Sequence, residues 1–307
     1  MTETGRVVVI GDALIDELRN ETGTREFVGG AALNVAVGLA RLGLPATLIA
    51  MVGDDAAGAR IRSYLDDFDV QLIASPSTFG TSRAVSTRDA GGEPVYVFNE
   101  AAQARRIRFG EEERAAIASA AVTVVSCFPF DDAAQTAELS SALEDVPGLV
   151  AIDPNPRAGM LHDGEGFARG FEALAARADL VKVGEDDAAL LYGGSVDELR
   201  DRLLADGATA VVATRGADGA SVRTTGATVS RPISVAAAPV VDTMGAGDAV
   251  LSSVVASLLA GFPSTSQDWA GLLEKAMDVA AATCRFEGAL LRLPSALAGL
   301  PPHPSTA

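Results

Sequence analysis

Short apolar runs recur along the chain, each followed by a longer segment in which apolar and polar positions mix at helical spacing. RVVVIG (6–11), ATLIAMVG (46–53), VTVVS (122–126), GLVAID (148–153), ADLVKV (178–183) and ATAVVAT (208–214) are apolar nearly throughout. Such runs predict strands buried on both faces rather than strands with one wet side. AALNVAVGLARLG (31–43), DAAGARIRSYLDDF (55–68) and GFEALAARA (170–178) have the length and Ala/Leu content of helices, and Gly43 with Pro45 beyond it closes the first. The alternation predicts an α/β fold: a mostly parallel sheet between two layers of helices.

Two regions break the rhythm. IDELRNETGTREFVGG (15–30) sets polar turn residues between two strand-like pieces, and TSRAVSTRDAGGEPVYVF (81–98) places strand-like runs around Asp89-Ala90-Gly91-Gly92. Neither suits a strand–helix unit. Together they predict a small sheet apart from the core, placed to act as a lid. The expected organisation is one core over 1–300, with lid segments at 13–28 and 78–105 inserted in it, and a loose tail at 301–307. The chain shows no repeat or low-complexity tract.

At 307 residues the chain is long enough for a sizeable core. Its net charge of −17 argues against nonspecific binding to nucleic acid or anionic membranes, without excluding an anionic ligand in a locally positive pocket. Two cysteines, Cys127 and Cys284, support neither a disulfide scaffold nor a thiolate metal site. The first strand-like run begins at residue 6, which leaves no room for a signal peptide. No apolar stretch reaches spanning length, so the expected location is the cytoplasm.

The chemistry concentrates at a few places. VVDTMGAGDAV (240–250) opens a helix with Gly245-Ala246-Gly247, whose free N–H groups and dipole suit phosphate, yet it places the carboxylate of Asp248 beside them. VGGAALNVAVGLARLG (28–43) puts Gly29-Gly30 before an apolar helix that contains Asn34. That amide needs partners, and either neighbouring backbone or a hydroxyl-rich ligand can supply them. GDALID (11–16) brings Asp12 and Asp16 to the carboxyl end of the first strand. There they can accept from sugar hydroxyls or cap a turn or helix. DPNPR (153–157), VKVGEDDAALL (181–191) and VATRGADGA (212–220) follow three more strands at the same predicted sheet edge, which favours a ligand cleft there.

Several templates are missing. There is no Gly-x-x-x-x-Gly-Lys-Ser/Thr loop, no Gly-x-Gly-x-x-Gly opening the first helix, and no Gly-x-Ser-x-Gly elbow. The absent glycine fingerprint disfavours an NAD-dependent oxidoreductase. With His162 in a loop and His303 in the tail, a histidine-based hydrolase or multi-histidine metal site is also disfavoured.

Asp248 beside a phosphate seat makes chemical sense if a phosphoryl group is in transfer to a hydroxyl. The helix N–H groups stabilise the moving charge, and the carboxylate takes the hydroxyl proton. A solvated aspartate near its usual pKa of about 4 is a weak base, which implies late proton transfer. The competing reading is an aspartate that stabilises a helix start, worth under about 1 kcal/mol.

VVDTMGAGDAV resembles the Asp-Thr-x-Gly-Ala-Gly-Asp signature of the ribokinase-like (PfkB) carbohydrate kinases, and VGGAALNVAVGLARLG resembles their amino-terminal Gly-Gly signature. The similarity continues in order through GDALID, VGDDAAG (52–58), DPNPR, VKVGEDD and TRG. GDALID and DPNPR are closest to fructokinases. The resemblance implies a three-layer core with a β-sheet lid and ATP-dependent phosphorylation of a sugar hydroxyl. It implies Asp248 as catalytic base, with Gly245, Ala246 and Gly247 as anion hole. Asp16, Gly29, Gly30, Asn34 and Arg157 are implied at the sugar, and Lys182, Thr214, Gly216 and Gly219 at the nucleotide. Mg²⁺ is implied with ATP, through Asp187 and water, and K⁺ near Asp242. A homodimer through the lid is an expectation by the same analogy.

Departures fall at Gly184 and Asp187, where relatives carry Asn and Glu, which weakens the metal and phosphate contacts implied there. The segment AVLSSVV after the base lacks the usual Phe and Gly. In FNEAAQARR, Arg105 stands where an acid is expected, and an arginine there favours an acidic sugar. Ribose, 2-keto-3-deoxygluconate and nucleosides are the alternative acceptors. A sugar-binding regulator with impaired catalysis is the alternative from another class.

Overall fold

The computed structural model describes residues 5–20, 23–88, 94–236 and 238–299. Among the described residues thirteen strands form two sheets: β1 (Val7–Gly11), β2 (Leu14–Asn20), β3 (Gly23–Gly29), β4 (Ala46–Met51), β5 (Gln71–Ser75), β6 (Arg83–Arg88), β7 (Pro94–Phe98), β8 (Val122–Ser126), β9 (Leu149–Asp153), β10 (Leu180–Gly184), β11 (Ala210–Thr214), β12 (Ala220–Thr224) and β13 (Thr228–Arg231). The larger sheet runs β13-β12-β11-β10-β9-β8-β1-β4-β5. It is parallel from β5 to β11, and only β12 and β13 are antiparallel additions at one edge.

All six apolar runs became adjacent parallel strands, and the burial pattern gives the reason. In β1, Val7 and Val9 pack into one apolar layer while Val8 and Ile10 pack into the other. A strand between two helix layers needs apolar residues at every position, so no polar alternation remains. Helices Ala31–Arg41, Ala56–Asp66, Ala246–Leu259 and Ser266–Thr283 cover the first face. Helices Glu111–Ser119, Ala133–Ala142, Gly164–Ala175, Glu185–Tyr192 and Val196–Ala205 cover the second. The helix expected over 170–178 begins earlier, at Gly164, and ends at Ala175, and Gly43 follows the first helix with φ 84° as its glycine stop.

The two irregular regions form the second sheet, in the order β3-β2-β6-β7. β2 and β3 are a hairpin, β6 and β7 are antiparallel, and β2 joins β6 in parallel. The Asp89–Gly92 turn and the 301–307 tail lie outside the described residues. Ion pairs of Arg25 with Glu287 and of Glu26 with Arg60 tie this sheet to the core. Among the described residues no helix is long and apolar enough to cross a membrane.

The chain runs outward from β1 to β4 and β5, then returns to place β8 on the other side of β1. That reversal opens a crevice beyond the carboxyl ends of the strands. Register puts Gly11, Ser126 and Asp153 level there. β11 pairs with β10 so that Gly184 lies beside Thr214.

Candidate active site

Helix Ala31–Arg41 starts at Gly30, whose φ is 108° and which has no side-chain cap. Its amino end is filled from within the protein. The Ala32 N–H donates to Asp12 Oδ1 at 3.0 Å, and the Leu33 N–H donates to the Asp12 carbonyl at 3.2 Å. Burial pushes the Asp12 carboxyl above its ordinary pKa, against the opposing pull of the Ala32 N–H, Arg105 and Arg157. Asp12 therefore serves as a buried cap, the second of the two uses open to it. Asp16 stays half-buried beside it, and a Cβ at Gly29 would collide with its carboxylate. Burial, reinforced by the Asp12 charge, pushes Asp16 up to about 7.

Helix Ala246–Leu259 likewise starts at a glycine without a side-chain cap, Gly245, with φ 74°. A Cβ at Gly245 would stand 2.7 Å from Ala289 Cα, so glycine is required by both conformation and space. Among the described residues the N–H groups of Gly247 and Asp248 have no hydrogen-bond partner. The Ala246 N–H turns back to the Thr243 carbonyl.

Asp248 is 7% exposed, so the expectation of a solvated aspartate is corrected. Burial pushes its pKa up to about 6, while Asn34 and the nearby charges of Lys182 and Arg157 pull it down. The Asn34 amide donates to Asp248 Oδ2 at 2.9 Å. The partner of that amide is thus neither backbone nor ligand alone; it is a carboxylate brought in from 214 residues away.

Lys182 and Asp153 form a buried ion pair at 3.0 Å, because register sets Val181 beside Ile152 and so brings the next residues together. Lys182 Nζ would lie 3.1 Å from a Cβ built on Gly247. Burial alone would lower the lysine, but Asp153, Asp187 and Asp248 outweigh it and hold the ammonium above its ordinary pKa. Asp187 accepts from the Gly184 N–H at 2.6 Å at the start of helix Glu185–Tyr192, and burial pushes its carboxyl upward.

The other expected residues line the same edge with different roles in the fold. Arg157 is exposed in the loop after β9, and its charge bears on Asp12 and Asp248. Arg105 donates to the Ala102 carbonyl at 3.3 Å and also bears on Asp12. The Thr214 hydroxyl donates to the Val183 carbonyl at 3.3 Å, and Gly216 is exposed with φ 44°. Gly219, with φ 88°, is buried against the end of β13, where any Cβ would collide with the Arg231 carbonyl. Asp242 accepts from the Met244 N–H at 3.0 Å and from the Gly288 N–H at 2.9 Å, joining two segments. His162 is an exposed loop residue as expected.

The sequence reading did not single out Asp153 by itself, nor Cys127. Both stand at strand ends on the crevice, and Cys127 has φ 52° with its thiol against Asp12. Asn155 in DPNPR has φ 40°. Unusual backbone at neighbouring strand ends is common at functional sites, though apolar patterning carries no trace of it.

The arrangement can hold an anion at Gly247 and Asp248 and take a proton at Asp248 from a hydroxyl lying toward Asp16. Comparison with known proteins identifies the family. Residues 4–296 match the pfkB family carbohydrate kinases. A fructokinase from Rhizobium leguminosarum bv. trifolii is 29% identical over 88% of this chain and 85% of its own length. An acarbose 7(IV)-phosphotransferase from Actinoplanes sp. is 33% identical over 75% of this chain and 73% of its own. The crystal structure of a fructokinase from Xylella fastidiosa with bound ATP shares the fold with a TM-score of 0.82 at 22% identity, covering 95% of this chain and 96% of that one. The fold is ribokinase-like, and the chain belongs to the pfkB family of carbohydrate kinases.

Proposed function

We propose that this sugar kinase transfers the γ-phosphoryl group of ATP to a hydroxyl of a small, fructose-like sugar, with Asp248 as general base. The observation that carries the reading is the open amino end of helix Ala246–Leu259 next to a buried carboxylate. Two unpaired N–H groups suit the developing charge of the phosphoryl group, and the Asn34 amide holds the base without neutralising it. Asp16 and Asn34, with Arg157 at the rim, are the polar groups for orienting the sugar. Thr214 and Gly216 stand on the nucleotide side.

Asp248, pushed up to about 6, is a stronger base than an ordinary aspartate and is still ionised at neutral pH. Mg²⁺ accompanying ATP supplies further neutralisation of phosphate charge. Among the described residues no group of three or more potential ligands converges, so Asp187 would hold the ion through water, with phosphate oxygens completing its shell. Both carboxylate oxygens of Asp242 already accept backbone N–H groups, which leaves further lone pairs for K⁺. The β2-β3-β6-β7 sheet would close over the sugar and exclude water.

ADP release measured across fructose, ribose, 2-keto-3-deoxygluconate and nucleosides tests the reading. Turnover with fructose that disappears in Asp248→Asn is the expected result. Sugar binding by calorimetry without ADP release for any acceptor would overturn it in favour of a regulator.

A further inference from the structure

Two arginines outside the crevice stand side by side without a counter-charge. Arg41 ends helix Ala31–Arg41, and Arg292 lies in the segment after helix Ser266–Thr283, where its backbone N–H donates to the Thr283 hydroxyl at 3.0 Å. They meet because Leu42 packs against the cluster of Leu291, Ala249 and Val279, which sets the neighbours of that contact together. Both Nε atoms are buried without a hydrogen-bond partner, while each side chain as a whole is half-buried and reaches solvent. Burial, reinforced by the Arg292 charge, lowers the Arg41 pKa, and no carboxylate is among the groups that bear on it. The third group in the same field is the Tyr64 phenol on helix Ala56–Asp66, which burial raises and the two arginines lower.

Aromatic rings hold the guanidiniums by their faces. Arg41 Cζ lies 5.8 Å from the Phe68 ring centre, and Arg292 Cζ lies 4.7 Å from that of Phe286. A guanidinium stacked in this way keeps its N–H edge for a ligand. Two like charges side by side repel, so a pair that served packing alone would be better with an acid between them. Acids are plentiful, at 41 Asp and Glu against 24 Lys and Arg, and Asp66, Asp67 and Asp69 lie just after Tyr64. Among the described residues no ion pair joins any acid to Arg41 or Arg292.

We propose that Arg41, Arg292 and Tyr64 form a binding site for a phosphate group, separate from the catalytic crevice. A tetrahedral dianion has oxygens for both guanidinium forks and for the phenol, and its two charges match theirs, whereas one carboxylate serves a single fork. Arg41 follows Asn34 by seven residues, about 10 Å along a helix axis, so a phosphate here does not take the place of one at Asp248. The bound group ties the end of helix Ala31–Arg41 to the segment whose Gly288 N–H donates to Asp242 at 2.9 Å. The site stands whether or not Asp248 is a general base.

Calorimetry and thermal midpoints test the assignment with inorganic phosphate, a hexose 6-phosphate and acetate, all at constant ionic strength so that screening does not vary. The proteins compared are the parent, Arg41→Gln, Arg292→Gln and the control Arg169→Gln, an exposed ion-paired arginine on the opposite face of the sheet. Parent and control should bind phosphate and gain in midpoint as its concentration rises, since a ligand held only by the folded state stabilises it. Arg41→Gln and Arg292→Gln should each weaken phosphate by about tenfold to a hundredfold, the range for one hydrogen bond to a charged group, and lose the gain in midpoint. Affinity for a non-hydrolysable Mg·ATP analogue should be unchanged in both. Tighter binding of the hexose phosphate than of inorganic phosphate would identify an ester as the occupant, and the reverse order the free ion.

Phosphate binding that survives in both variants would place the anion elsewhere and overturn the site, as would its absence from the parent or an equal loss in Arg169→Gln. Parallel losses of phosphate and analogue affinity would overturn its separation from the crevice. Acetate binding as tight as phosphate would overturn the phosphate assignment.

Discussion

Helices Ala31–Arg41 and Ala246–Leu259 both begin at a glycine in the positive-φ region, 108° at Gly30 and 74° at Gly245, and neither carries a side-chain cap. The first is filled by Asp12, which accepts from two of its N–H groups, whereas the second leaves two N–H groups unpaired among the described residues. Asp248 could have closed its own helix, yet its carboxylate is turned to Asn34 on the neighbouring helix. A glycine-rich start is therefore not an anion site by itself. What makes one is the lack of an internal acid at the N–H groups, together with a nearby cation such as Lys182.

The largest effect tests the open end. Asp248→Asn is expected to lower kcat by about 10²- to 10⁴-fold while fructose affinity changes little, the range for a general base. Near-normal turnover would remove the base from the mechanism. Gly245→Ala comes next. It forces an L-residue to φ 74° and drives a methyl against Ala289, so turnover should fall by more than tenfold with a lower thermal midpoint.

The filled end should respond in the opposite sense. Asp12→Ala removes a helix cap, worth about 1–2 kcal/mol of stability, and should lower the midpoint far more than kcat. Loss of turnover at unchanged stability would break the comparison.

Proton linkage provides two smaller effects. Activity should fall as pH drops through about 6, because the base must be ionised, and Asn34→Ala should shift that limb upward by removing the bond that favours the carboxylate. Stability of the ligand-free protein should run the other way. Asp16, pushed up to about 7 in the fold, binds a proton that the unfolded chain has already released between about pH 4 and 7. The folded state is therefore favoured at the acid end of that window and loses stability as pH rises through it. Asp16→Asn should flatten the slope, as seen in thermal midpoints measured between pH 5 and 8.

Much of the fold was legible because burial on both faces of a parallel strand leaves an unbroken apolar run, and all six such runs are adjacent strands of the large sheet. The small sheet was legible as a failure of that rhythm over 15–30 and 81–98. β12 and β13 were not anticipated. ASVRT and TVSR are short, with one valine each among small and polar residues, so their patterning is weak. In the candidate site, Gly245–Asp248 and Gly29-Gly30 stood out because glycine at helix starts has a conformational reason. Asp153 did not, since an acid at the end of an apolar run reads equally well as a turn.

By itself the sequence determined the layered α/β architecture, the two regions that form the small second sheet, and the family, through local patterns of burial and two glycine signatures. Tertiary structure decided how the acids divide. Asp12 became a cap, Asp16 a half-open carboxyl pushed up to about 7, and Asp248 a buried carboxyl pushed up to about 6. Those differences come from desolvation and from partners that lie far along the chain, Asn34 for Asp248 and Lys182 for Asp153, and only strand register and helix packing bring them within reach.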